Sequence, residues 1–312
     1  MKVILANPRG FCAGVNMAIE VVEQALKIKG PPIYVFHQIV HNRHVVEGFE
    51  ARGVIFVNSI DEVPEGQVVV YSAHGIAPEI RQQAGSRQLL EVDATCPLVT
   101  KVHLEVLRFS RDRYTVIFIG HKNHDEAIGT VGEAPEDIVV VESVEDVANL
   151  QVPDASKVAY VTQTTLSVAE AAGMITALKL KFPLIVGPKK GDICYATTNR
   201  QSAVRELSQE ADVVIVIGSK NSSNSKRLVE TARSLGRPAY LIDDQTELDD
   251  AWLAGKQTVL VTAGASAPKH LVDELVDRLR RDYDAQIETR TLVDEKMLFE
   301  LPRSMKNLAQ TT

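Results

Sequence analysis

The stretch Gly10-Phe11-Cys12-Ala13-Gly14 decides how this chain is read. Ahead of it, Val3-Ile4-Leu5-Ala6 is an apolar run of strand length, and Asn7-Pro8-Arg9 turns the chain. Behind it, Val15, Ala18, Ile19, Val22, Ala25 and Leu26 recur at helical spacing. Cys12 therefore falls between a strand end and a helix start. Free N–H groups and the positive end of the helix dipole favour a thiolate there. The arrangement occurs twice more. Leu89-Leu90-Glu91-Val92 reads as a strand leading through Asp93-Ala94-Thr95 to Cys96, with Pro97 where a helix accepts its first residue. Leu184-Ile185-Val186 reads as a strand leading through 187–193 to Cys194, followed by Tyr195-Ala196-Thr197-Thr198. The chain has 3 cysteines, and each occupies this position.

The segments between them share an order of helices, strands and polar turns. Counting five residues past the last apolar residue of a strand gives His41 after Phe36, His124 after Ile119 and Ser222 after Ile217. A second set of turns recurs in looser register: Ser72-Ala73-His74-Gly75, Thr162-Gln163-Thr164-Thr165 and Thr262-Ala263-Gly264-Ala265-Ser266. Strands alternating with helical stretches predict parallel α/β units, and sites in such sheets lie beyond the carboxyl ends of the strands. The expected division is a first α/β repeat over 13–96, a second over 97–193 and a third over 194–285. The third lacks a closing strand of its own. Lys2–Ala6, within residues 1–12, is expected to complete it, with Ile287–Leu292 as the competing strand. Residues 286–312 read as a C-terminal tail with little periodicity, packed over the body.

Composition narrows the function classes. The chain has 312 residues, 45% hydrophobic and 24% charged, ordinary for a soluble globular protein. A formal net charge of −7 leaves no global basic field for nucleic acid. No apolar run approaches the ~20 residues of a membrane span. The first apolar run is broken at Asn7-Pro8-Arg9, which argues against a signal peptide. An odd number of cysteines argues for a reducing cytoplasm.

Three thiolates meeting on an axis need a soft metal partner. Structural zinc takes four ligands, and this chain has no C-x-x-C pair. Iron–sulfur clusters take thiolates, and three protein ligands on a four-iron cluster leave one iron open to substrate. The bland alternative is three buried structural cysteines. The polar turns carry His41, His74, His124, Glu126, Thr164, Ser222, Asn224 and Ser266. Imidazole, hydroxyl, amide and helix N-terminal N–H groups together can hold a phosphate or diphosphate. Near such an anion the Glu126 carboxyl would titrate high enough to deliver protons. There is no G-x-G-x-x-G for a nicotinamide cofactor and no P-loop.

The motifs Asn7-Pro8-Arg9-Gly10-Phe11-Cys12-Ala13-Gly14, Ser72-Ala73-His74-Gly75, Asp93-Ala94-Thr95-Cys96-Pro97, Thr162-Gln163-Thr164-Thr165, Cys194-Tyr195-Ala196-Thr197-Thr198-Asn199-Arg200, Gly218-Ser219-Lys220-Asn221-Ser222-Ser223-Asn224-Ser225 and Thr262-Ala263-Gly264-Ala265-Ser266-Ala267-Pro268 resemble those of the 4-hydroxy-3-methylbut-2-enyl diphosphate reductases. The resemblance runs from Lys2 to about Pro302. It implies a trefoil of three similar parallel-sheet α/β domains around a central [4Fe-4S] cluster with one open iron. By motif position Cys12, Cys96 and Cys194 would be the cluster ligands. His41, His74, His124, Ser222, Ser223, Asn224 and Ser266 would hold the allylic diphosphate. Thr164 would contact the substrate hydroxyl, and Glu126, beside His124, would supply protons. Reduced ferredoxin or flavodoxin would supply electrons. Two other classes stay open. A non-catalytic iron–sulfur sensor needs the cysteines but not the Glu126–Thr164–histidine ring. A metal-dependent diphosphate hydrolase would use His41, His124 and Glu126 and be indifferent to the cysteines.

Overall fold

The computed structural model describes residues 1–310. In chain order the elements are β1 (Lys2–Asn7), α1 (Ala13–Lys29), β2 (Ile33–Phe36), α2 (Arg43–Glu50), β3 (Val54–Val57), β4 (Val68–Tyr71), α3 (Pro78–Ser86), β5 (Leu90–Asp93), α4 (Pro97–Arg111), β6 (Thr115–Ile119), α5 (Asp125–Gly132), β7 (Ile138–Val141), α6 (Val144–Asn149), β8 (Val158–Thr162), α7 (Val168–Lys181), α8 (Tyr195–Leu207), β9 (Val213–Ile217), α9 (Ser223–Ser234), β10 (Ala239–Ile242), β11 (Thr258–Ala263), α10 (Lys269–Tyr283), β12 (Gln286–Thr291) and α11 (Arg303–Gln310). Contacts divide the chain into two compact units. One comprises Met1–Val15, His41–Glu47 and Tyr195–Met297, and the other Asn16–Val40, Gly48–Cys194 and the stretch from Leu298 onward.

The first unit holds one sheet in the order β10-β9-β11-β1-β12, parallel throughout. All five residues of β9 are buried, as expected of a parallel strand covered on both faces. Alternation along the strands sorts the core. Val3, Leu5, Ile215 and Val261 pack under α10, while Ile4, Ala6, Val214 and Leu260 pack under α8 and α9. Strand β1 pairs with β11 on one side and β12 on the other. Both strands set in competition by the sequence thus belong to this sheet, and Gln286–Thr291 is not tail.

The second unit holds two further parallel sheets, β3-β2-β4-β5 and β7-β6-β8. The three parallel-sheet α/β layers expected from the sequence are all present. The strand expected at Leu184–Val186 is not. Val186 makes one isolated bridge to Ala159, its N–H donating to Val158 and its carbonyl accepting from Tyr160. Pro183 and Pro188 bracket this stretch and supply no N–H for a ladder. Gly187 also packs where a Cβ would lie 2.4 Å from Tyr160 Cζ. The tail differs from expectation too: α11 forms, burying Met305 and Leu308, and Ser304 Oγ accepts from the N–H of Asp93, 3.3 Å away.

One turn in this unit depends on glycine. Gly75 has φ +82°, and a Cβ there would lie 3.0 Å from His103 Cε1 and 3.2 Å from Val99 Cγ1. Gly129 of α5 rests on the same turn, with its Cβ direction 3.2 Å from the Gly75 carbonyl carbon. Gly75→Ala is therefore expected to cost about 1–3 kcal/mol from combined dihedral strain and overpacking. A lower midpoint in thermal unfolding checks this, and the neighbouring His74 ring should shift in its NMR spectrum.

Candidate active site

Each cysteine stands at a helix start as expected; Cys12 and Cys96 follow strands, whereas Cys194 follows only the isolated bridge at Val186. Cys12 and Cys194 directly precede α1 and α8, and Cys96 is the N-cap of α4. None of the three is in a disulfide, and all are partly exposed. Each spends its backbone N–H on a carbonyl of a polar turn: Cys12 on Ala265 at 3.2 Å, Cys96 on Ala73 at 3.0 Å and Cys194 on Thr164 at 3.0 Å. These three bonds supply the register that the turns lack in sequence. Ala265, Ala73 and Thr164 are equivalent, so Ser266, His74 and Thr165 are the next equivalent set. This register adds Thr165, which the looser sequence register does not single out, to the turn positions. Its hydroxyl accepts from Gln163 Nε2 at 3.0 Å.

In the first unit the carboxyl ends of β1, β9 and β11 gather Cys12, His41, Ser222, Ser223, Asn224 and Ser266. Ser266 Oγ donates to the carbonyl of His41 at 2.9 Å. Asn224 Oδ1 accepts from the N–H of Ala265 at 2.8 Å, which fixes the amide and the turn together. Ser222 caps α9 by accepting from the N–H of Ser225 at 3.3 Å. Ser223 and Asn224 stand in the first turn of that helix, whose positive dipole end suits an anion. The corresponding cap of α2 is Asn42, whose Oδ1 accepts from Val45 N–H at 3.1 Å. The first loop is thus one residue longer, and His41 precedes the cap instead of forming it.

In the second unit His124 caps α5, its Nδ1 accepting from the N–H of Glu126 at 3.1 Å. That bond leaves the ring proton of neutral His124 on Nε2, the nitrogen able to donate to a phosphate oxygen. The His74 ring stands edge-on to His124, centroids 5.7 Å apart. Asp125, which the sequence does not single out as a site residue, has its carboxylate 2.9 Å from His37 Nδ1 and 3.9 Å from His74 Nδ1. A carboxylate at that place orients imidazoles.

Glu126 is 2% exposed. Its Oε1 accepts from Thr164 N–H at 2.6 Å and its Oε2 from Thr164 Oγ1 at 2.9 Å. Burial is the dominant influence and pushes its carboxyl up to about 7, against the opposing effect of both Thr164 bonds; the Asp192 charge adds to the rise. Asp192, two residues before Cys194, has a fully buried side chain. Its Oδ2 accepts from Thr162 N–H at 2.9 Å and its Oδ1 pairs with Lys101 Nζ at 2.7 Å. Lys101, which sequence reasoning did not single out, also donates to the Lys190 carbonyl at 2.8 Å, so α4 pins the loop that carries Cys194. The donor set fits an iron–sulfur cluster: three thiols at helix N-termini, each on a backbone fixed by a neighbouring turn.

The profile of one protein family, described as LytB protein, matches residues 3–280. The chain belongs to the LytB family. Among LytB relatives, the 4-hydroxy-3-methylbut-2-enyl diphosphate reductase of Azoarcus sp. (strain BH72) is 53% identical over 305 residues, covering 98% of both chains. That of Rhodopirellula baltica is 51% identical over 309 residues, covering 99% of this chain and 97% of its own. The solved structure of the E-1-hydroxy-2-methyl-but-2-enyl-4-diphosphate reductase from Plasmodium falciparum superposes with a TM-score of 0.97 at 42% identity, over 99% of this chain and 98% of that one. A second, described as the terminal enzyme of the non-mevalonate pathway, superposes at 0.64 with 34% identity, over 90% of this chain and all of that one. The LytB chain is an oxidoreductase. Among its described residues no helix is long and apolar enough to cross a membrane.

Proposed function

We propose that this LytB-family chain reduces 4-hydroxy-3-methylbut-2-enyl diphosphate to isopentenyl and dimethylallyl diphosphate, the last step of the methylerythritol phosphate route. Two electrons and two protons enter; the C–O bond to the terminal hydroxyl breaks, water leaves, and a C–H bond forms at either end of the allyl unit. The observation that carries the reading is the buried Glu126 carboxyl, bonded twice to Thr164, whose carbonyl in turn holds the N–H of Cys194.

Cys12, Cys96 and Cys194 would hold a [4Fe-4S] cluster with one open iron. When bound, the cluster supplies electrons and a Lewis-acidic iron. The protein's residues supply the rest. His41, His74, His124, Ser222, Ser223, Asn224 and Ser266 bind the diphosphate through imidazole, hydroxyl, amide and helix N-terminal N–H groups. Thr164 holds the substrate hydroxyl. Glu126, titrating near neutrality, carries the proton at its carboxyl. Its burial also keeps water from competing for that proton. In this reading the repeats 13–96, 97–193 and 194–285 form a trefoil about the cluster, the last completed by residues 1–12. Ferredoxin or flavodoxin delivers the electrons. Three cysteines outside any disulfide suit a reducing cytoplasm.

The test is an anaerobic visible spectrum of the reduced protein before and after the allylic diphosphate is added. Substrate-dependent reoxidation with formation of both five-carbon diphosphates is expected. A spectrum indifferent to substrate would leave a sensor. Released phosphate, undiminished in Cys→Ser variants, would leave a hydrolase.

A further inference from the structure

Helix α8 begins at Tyr195, the residue after Cys194, and two of its side chains act on the loop that carries Cys12. Tyr195 Oη accepts from the N–H of Ala13 at 3.1 Å. Arg200 is fully buried. Its Nη2 donates to the carbonyl of Gly10 at 2.7 Å, and its Nη1 to the Ala196 carbonyl at 3.0 Å. The same guanidinium pairs with Glu295, Nη1 to Oε1 at 3.1 Å and Nη2 to Oε2 at 3.3 Å. Asn199 Nδ2 adds a bond to Glu295 Oε1 at 3.0 Å. The N–H groups of Gly10 and Cys12 go to the carbonyls of Ala263 and Ala265. The Gly10–Ala13 backbone is therefore held from two sides, by the turn after β11 and by α8.

Packing alone does not call for an arginine here. A buried charge is costly, and an apolar side chain of similar volume fills the same space without that cost. What an arginine adds is a planar fork that reaches a carbonyl and a carboxylate at once. The carbonyl it holds is two residues before Cys12, at most about 7 Å of chain away. Glu295, from the segment after β12, balances the charge.

We infer that Tyr195, Arg200 and Glu295 are positioning residues for the Cys12 thiolate, and that the Arg200–Glu295 pair sets the local charge felt by the group that Cys12 ligates. The second half rests on the cluster proposed above. The first is tested without it. In the apoprotein, Tyr195→Phe removes the acceptor for Ala13, and the exchange of that amide with deuterium is expected to quicken about tenfold, while amides of β11 keep their protection. In reconstituted protein, Glu295→Gln leaves a net positive charge and should raise the reduction potential. Arg200→Met leaves a net negative one and should lower it, while Arg200→Lys keeps the charge and should stay near wild type. Unchanged Ala13 exchange in Tyr195→Phe would overturn the positioning role. Potential shifts of the same sign in Glu295→Gln and Arg200→Met, or none in either, would overturn the charge role. Faster Ala13 exchange in a protein that takes up no iron in any variant or in wild type would sustain the positioning role and overturn the cluster reading instead.

Discussion

Glu126→Gln is expected to lower the rate of substrate reduction by about 10²–10⁴-fold, the usual contribution of a positioned proton donor, and to make the protein more stable at the same time. Glutamine keeps the hydrogen bonds: its Oε1 can accept from Thr164 N–H, and its Nε2 can donate to Thr164 Oγ1. What it removes is the titrating proton. The stability effect has a definite sign. Burial raises the carboxyl from 4.5 to about 7, so the folded protein holds the proton more tightly than the unfolded chain. The favourable contribution is complete below about 4.5 and is lost as pH rises through about 7. Above that, the buried carboxylate costs roughly 3 kcal/mol relative to a neutral side chain. The gap in unfolding midpoint between variant and wild type should therefore be near zero at pH 4.5 and open toward pH 8. The visible spectrum should stay unchanged. Full turnover in the variant would remove Glu126 from its role, and a pH-independent gap would contradict its titration.

Any one of Cys12→Ser, Cys96→Ser or Cys194→Ser should abolish or degrade the visible charge-transfer absorption and cut activity by more than the ~100-fold typical of losing a partner once removed from a metal. The fold should survive. The bonds that seat these residues are made by backbone N–H groups, which serine keeps. Apoprotein circular dichroism and its unfolding midpoint should thus move little. An unaltered absorption band in any one variant would exclude that residue as a ligand.

How much of this was legible in sequence follows the range of the interactions. The helix starts after all three cysteines and the strands before Cys12 and Cys96 are readable because turn chemistry is local: Pro97 at a helix start and an apolar run before a turn depend on neighbours alone. The three parallel layers followed from the same alternation. The apolar run Leu184–Val186 forms no strand because the flanking Pro183 and Pro188 cannot extend a ladder. Helix α11 was missed because its buried face consists of little more than Met305 and Leu308. The register of the second turns, and with it Thr165, lies in hydrogen bonds between segments far apart in sequence. Lys101 with Asp192, Arg200 with Glu295 and Asp125 with His37 are separated by 91, 95 and 88 residues, so spacing carries no trace of them.

The place of β1 has a consequence for how the protein is made. Lys2 lies opposite Thr258 on one side and Gln286 on the other, so β1 finds its neighbours only after β2 to β10 have been translated. The sheets bearing the approaches to Cys96 and Cys194 are drawn from residues before Cys194 and can form while synthesis continues. The Cys12 loop, which leans on Ala263, Ala265, Arg200 and, through it, Glu295, cannot. In the proposed reading, all three thiols stand on folded loops only after Glu295 has been made, and a shorter nascent chain offers at most two in place.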